Sequence, residues 1–183
     1  LREKYKDNDL VEDWMIKHFV IHNPSNPEVA IERTLTLILE LKEKYKDVDD
    51  WVIKHFAVSN PLDAETAIER TLTLISELKE KYPSVDEGMI KQFAVNRPLK
   101  SEAAIERTLE IISYLKKKYK DNDLVEDWMI KHFAERNTNL KNSEVAIERT
   151  LEIILKLKNK YKDKDLVDEG MIKNIAVRHF DSY

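Results

Sequence analysis

The 183-residue chain contains no cysteine, which removes disulfide frameworks, thiolate metal sites and cysteine nucleophiles together. Its two glycines are too few for phosphate-cradling loops, and it has neither a His-Glu-x-x-His stretch nor a nucleophile elbow. No apolar run approaches the ~18 residues that a membrane span requires. A basic start followed by an apolar stretch and a small-residue cleavage site is also missing. Nor is there an excess of one charge: 31 basic and 35 acidic residues alternate closely, for a net charge of −4, so no large single-sign field is expected. Together these absences predict a soluble, intracellular, non-enzymatic protein with no metal, no cofactor and no membrane association.

What the chain has is repetition. The hexapeptide Ala30-Ile31-Glu32-Arg33-Thr34-Leu35 returns letter for letter at Ala67–Leu72, Ala104–Leu109 and Ala146–Leu151. A tyrosine follows the hexapeptide alanine by 15 residues every time, at Tyr45, Tyr82, Tyr119 and Tyr161, while the tyrosine-to-tyrosine steps vary between 37 and 42. Self-similarity at such a period marks stacked two-helix units. The expected fold is all-α: an α-solenoid of stacked helical hairpins, about four two-helix repeats of 37–42 residues plus a terminal short helix. One array is expected over 1–183, with units near 7–46, 47–83, 84–120 and 121–162 and a partial unit at 163–183. Leu1–Lys6 matches Leu41–Lys46 except at its second residue, so the array reads as a fragment of a longer solenoid whose uncapped ends allow end-to-end self-association.

Each unit reads as a short and a long helix. The short one is expected to start at Asp9, Asp47, Ser84, Asp123 and Asp165, each followed three residues later by Glu or Asp, the spacing of a capping box. The long one is expected to open near Asn26, Asp63 or Asn142 and to run about five turns. Ile31, Thr34, Leu35, Ile38, Leu41 and Tyr45 fall on one stripe at 100° per residue, with Arg33, Glu40 and Lys44 opposite. Glu40–Lys44 and Glu77–Lys81 have the spacing of i,i+4 ion pairs.

Several columns of equivalent residues are candidates for chemistry. His18, His55 and His132 share a column with Gln92 and Asn174, which fits a polar residue flanking the core. Trp14, Trp51 and Trp128 share theirs with Gly88 and Gly170. A tryptophan locked in a core could not give way to glycine without a large cavity, so this column is placed near a surface, facing a neighbouring repeat or a partner. Arg33, Arg70, Arg107 and Arg149 each follow a glutamate, the pattern of a charge ladder between long helices. Just after the short helix comes a polar dyad that changes while its surroundings hardly do: His22-Asn23, Ser59-Asn60, Asn96-Arg97, Arg136-Asn137 and Arg178-His179.

A short helix, a variable polar dyad and a long helix resemble in outline the transcription-activator-like effector repeats. The Asn-Pro after the short helix is similar to mitochondrial termination-factor repeats. This resemblance implies base-by-base reading of nucleic acid through the dyads, although the units here lack a glycine pair after the dyad. Mixed charge and surface-leaning tryptophans favour instead a recognition scaffold binding a protein or peptide along an extended face. DNA or RNA is the alternative partner, and it requires the arginine column and the column Lys17, Lys54, Lys91, Lys131 and Lys173 to converge on the dyads' face.

Overall fold

The computed structural model describes residues 1–137, 139–161 and 168–180, with residues 179 and 180 described by backbone alone, and these residues form ten α-helices and one 3-10 turn with no strand. They fall into two compact units, Leu1–Pro83 and Ser84–Tyr183. The first contains α1 (Arg2–Tyr5), α2 (Asp13–His22), α3 (Pro27–Lys44), α4 (Asp50–Ser59) and α5 (Ala64–Lys81). The second contains α6 (Glu87–Asn96), the 3-10 turn Pro98–Lys100, α7 (Ser101–Lys118), α8 (Asp127–Arg136), α9 (Leu140–Lys160) and α10 (Glu169–Phe180). Each helix packs chiefly on its sequence neighbours: α2 on α3, α3 on α4 and α4 on α5 in the first unit, and α6 through α10 likewise in the second. The division at residues 83 and 84 coincides with a boundary between sequence repeats.

The apolar stripe builds both cores. Ile31, Thr34, Ile38 and Leu41 of α3 are buried, as are Ile68, Thr71, Ile75 and Leu78 of α5. The short helices contribute Met15, Ile16 and Phe19 from α2 and Ile53, Phe56 and Ala57 from α4. In the second unit Ile111, Leu115, Met129, Ile130, Phe133, Ala146, Ile147, Ile154 and Ile172 form one continuous cluster. Pro27 occupies the first turn of α3, where its missing N–H costs nothing and its fixed φ suits the helix.

Local details depart from expectation in four places. The short helices start later than Asp9, Asp47, Ser84 and Asp123; their N-caps are Glu12, Asp49, Asp86 and Glu126. Asn8 and Asn122 explain part of the delay, since their carboxamide oxygens accept the N–H groups of Leu10 and Leu124 and bend the chain into turns first. Asp165 lies outside the described residues. The helix α9 opens one turn before Asn142, because Asn139 caps it by accepting the Lys141 N–H at 2.9 Å. Lys44 does not bond to Glu40 but reaches Glu65 of α5 at 2.7 Å. Finally, the hexapeptide glutamates do not pair with the arginines beside them: Glu32, Glu69 and Glu148 face a lysine and a tyrosine of the preceding long helix.

Candidate functional site

Many of the recurring polar residues hold the helices to one another. Three families of ion pairs recur inside the two units. In the first, a basic residue of one helix meets the first acidic residue of the short helix that follows: Arg2–Asp13 at 3.2 Å, Lys42–Asp50 at 2.6 Å and Lys158–Glu169 at 3.0 Å. An acid in the first helical turn is also favoured by the helix dipole. In the second, the Lys-Tyr pair ending one long helix embraces two glutamates of the next. Lys4 meets Glu28 and Glu32 at 3.0 and 3.1 Å, and Lys118 meets Glu144 and Glu148 at 2.9 and 3.3 Å. The tyrosine hydroxyls of Tyr5, Tyr45 and Tyr119 donate to the same row of glutamates.

The third family joins successive short helices through three of the five column lysines, while Lys17 is exposed and Lys91 pairs with Glu87 of its own helix at 2.9 Å. Lys54, 7% exposed, donates to Glu12 at 2.6 Å, and Lys173, 4% exposed, donates to Glu126 at 2.5 Å. Lys131 reaches Asp86 at 3.2 Å. In each case the acid is the N-cap residue of the preceding short helix. The Lys54 ammonium, aided by the Trp14 N–H, holds the Glu12 carboxyl below its ordinary value against the opposing effect of burial. Lys173 and Trp128 do the same for Glu126.

This arrangement accounts for the tryptophan column. The indole N–H of Trp14 donates to Glu12 at 2.9 Å and that of Trp128 to Glu126 at 2.8 Å, so one carboxylate gathers a tryptophan and a buried lysine. The rings stay at the surface, with Trp14 and Trp51 41% exposed and Trp128 37% exposed. Glycine replaces tryptophan where the carboxylate folds back over its own helix: Asp86 accepts the Met89 N–H and Asp168 the Met171 N–H. A Cβ at Gly88 would stand 2.9 Å from Asp86 Oδ1, and one at Gly170 would stand 3.2 Å from Asp168 Oδ1. Trp14 and Trp128 thus stand beside a capping carboxylate that swings out and Gly88 and Gly170 beside one that folds in, while Trp51 follows Asp49, whose side chain makes no capping bond to α4.

Among the recurring polar residues, the hexapeptide arginines and the dyads are left over. Arg33, Arg70, Arg107 and Arg149 are all exposed, and Arg107 pairs only within its own helix, with Glu110 at 3.1 Å. In the first unit arginine and dyad line common hollows where the short helix ends and the long helix begins. His22, Asn23, Asn26, Val29, Ala30 and Arg33 border one of about 390 Å³. Asn60, Asp63, Thr66, Ala67 and Arg70 border its counterpart, about 160 Å³. Ser59 turns away, its hydroxyl donating to the His55 carbonyl at 2.6 Å.

In the second unit the dyads fold onto their own helices. Asn96 donates to the Gln92 carbonyl, Arg97 lies over the Phe93 ring, and Asn137 donates to the Phe133 carbonyl. Arg136 also engages neighbouring groups. Arg178 lies beside Met171, Asn174 and Ile175 along α10, and the side chain of His179 lies outside the described residues.

The tryptophans and the dyads are not brought together. Trp14 and His22 stand at opposite ends of α2, about 12 Å apart along the axis. The paired lysines point toward N-terminal ends of short helices and the dyads leave from C-terminal ends, so Lys54, Lys131 and Lys173 do not reinforce the dyads. No group of three or more metal-ligating side chains occurs among the described residues, and no described helix is long and apolar enough to cross a membrane. Comparison of the chain with protein-family models, curated proteins and solved structures returned no match.

Proposed function

We propose that the chain is a non-enzymatic helical-repeat scaffold, an α-solenoid of stacked hairpins, that recognises a protein or peptide partner through the hollows at its short-to-long helix junctions. The observation carrying this reading is the pairing of a constant arginine with a changing dyad in one hollow: Arg33 with His22-Asn23, and Arg70 with Asn60. The arginine offers a fixed donor for a carboxylate or a backbone carbonyl. The dyad offers a lining that differs from repeat to repeat, which is how an extended ligand can be read one segment at a time. Lys54, Lys131 and Lys173 are bound up in helix-to-helix contacts, and this favours a peptide over a phosphate backbone, whose capture rests on accessible cations.

A peptide array probed with the full chain tests the proposal. Binding peptides should lose most of their affinity to the Arg33→Ala, Arg70→Ala double variant. Their sequence preference should change when Asn23 and Asn60 are replaced. Peptide binding indifferent to both changes would remove the hollows from the interaction. The same chain titrated with DNA duplexes, single-stranded DNA and RNA at ~50 and ~200 mM salt covers the other partner class, since phosphate contacts must show a steep salt dependence. A steep slope there would replace the peptide reading with the nucleic-acid one.

A further inference from the structure

We propose that His18 and His22 of α2 form a two-imidazole chelating site for a late first-row divalent cation, with Cu²⁺ preferred over Zn²⁺. The residues are four apart on one helix, so both rings project from the same face one turn apart. Their ring centroids lie 4.4 Å apart with planes inclined at 41°. A cation on the ring axis at an M–N distance of about 2.0 Å sits about 3.2 Å from each centroid. Two such vectors meeting near a right angle place the centroids about 4.5 Å apart, whereas a tetrahedral angle would need about 5.2 Å. The observed separation is short enough for both rings to serve one cation, and copper stands above nickel and zinc in affinity for imidazole sites.

The surroundings support the same assignment. His22 is exposed and borders the hollow with Asn23 and Asn26, leaving the remaining coordination positions open to water or carboxamide oxygen. Arg33, which borders the same hollow, is exposed and free to turn its charge into solvent. No other repeat has two imidazoles here: His55 is followed by Ser59 and His132 by Arg136. His55 and His132 each meet the adjacent phenylalanine ring edge-on, and they serve as built-in controls.

Titration of the full chain with CuCl₂, NiCl₂ and ZnCl₂, followed by calorimetry and by electron paramagnetic resonance for copper, tests the proposal. One equivalent of Cu²⁺ should bind with a two-nitrogen equatorial signature, ahead of Ni²⁺ and Zn²⁺. Affinity should fall roughly tenfold or more in His22→Ala and in His18→Asn, as loss of a direct ligand must cost at least what loss of its supporting contacts does. His55→Ala and His132→Ala should bind as the unaltered chain does. Circular dichroism of each variant establishes that it folds, and His22, being exposed, is replaceable without disturbing the core. Copper binding unaffected by His22→Ala, equal loss in all four histidine variants, or no binding at millimolar metal would each overturn the site.

Discussion

Glu135 departs from its column in a way that only the environment reveals. Three equivalents, Val58, Val95 and Val177, are buried valines and the fourth, Ile21, is exposed, while Glu135 places one carboxylate oxygen out of solvent with no hydrogen-bond partner. Burial raises its pKa; Lys131 works against the rise and Asp86 adds to it. A raised folded-state pKa means that the protonated acid is tolerated and that ionisation costs stability, the cost growing as pH rises through the folded value. Glu135→Val should therefore stabilise the chain at pH 7, by on the order of 1 kcal/mol for a partly exposed group. The gain should shrink at pH 4, where the native acid is largely protonated. Urea unfolding of both proteins at the two pH values measures this, and a gain independent of pH would mean that side-chain shape rather than charge is responsible. Thr150, whose hydroxyl is likewise buried without a partner, shows no comparable departure, since threonine recurs at Thr34, Thr71 and Thr108.

At the scale of helices, the ladder of lysine and N-cap carboxylate sets the spacing of neighbouring short helices. Lys54→Met keeps the apolar stem and removes the charge. It should cost about 1 kcal/mol, because Glu12 is half-exposed and keeps its water. Trp14 fluorescence should change with it, since the indole shares that carboxylate. Glu12, Glu126 and Glu169 all have carboxyls held below the ordinary 4.5. Their contribution is complete above that value and disappears as pH falls through the lower folded values. Acid unfolding should set in below about pH 4.5, and Lys54→Met should make the acid limb shallower; an unchanged limb would remove Glu12 from its causes.

These elements also show what a linear reading can see. The helical hairpins were legible because the fixed 15-residue spacing and the apolar stripe both describe one rigid rod. The destinations of the charges were not. Local spacing joins Lys44 to Glu40, and only the neighbouring helix supplies Glu65 at 2.7 Å. The caps were misplaced for a related reason: Asp9 and Asp123 have the right letters, but Asn8 and Asn122 bend the chain first. Of the candidate site, the dyads and arginines were visible as columns. Their meeting in a hollow required the turn from α2 into α3, and the His18–His22 pairing was present in the spacing but obscured by comparison across repeats.

For the molecule as a whole, contacts local in sequence imply stability that grows with the number of hairpins. Removal of residues 47–83, one complete repeat, should leave a helical protein that unfolds cooperatively at a lower temperature. Loss of all helical circular dichroism would show that the repeats are not interchangeable units. Charge is unevenly shared: residues 1–83 hold 12 basic and 17 acidic side chains, against 19 and 18 in residues 84–183. Low salt should therefore destabilise a separately expressed 1–83 segment more than its 84–183 counterpart, through self-repulsion.

The two inter-repeat families of ion pairs run in opposite senses along the chain. On the long helices a lysine reaches forward to the following repeat, as Lys44 does to Glu65; on the short helices a lysine reaches back, as Lys54 does to Glu12. A hairpin sliding against its neighbour in either direction must stretch both tethers at once, whereas peeling it away opens them one after the other. Within Leu1–Pro83 each hairpin is thus tied to the next through its long and its short helix together, and a pulling experiment on that segment is expected to register the loss of both ties in one event.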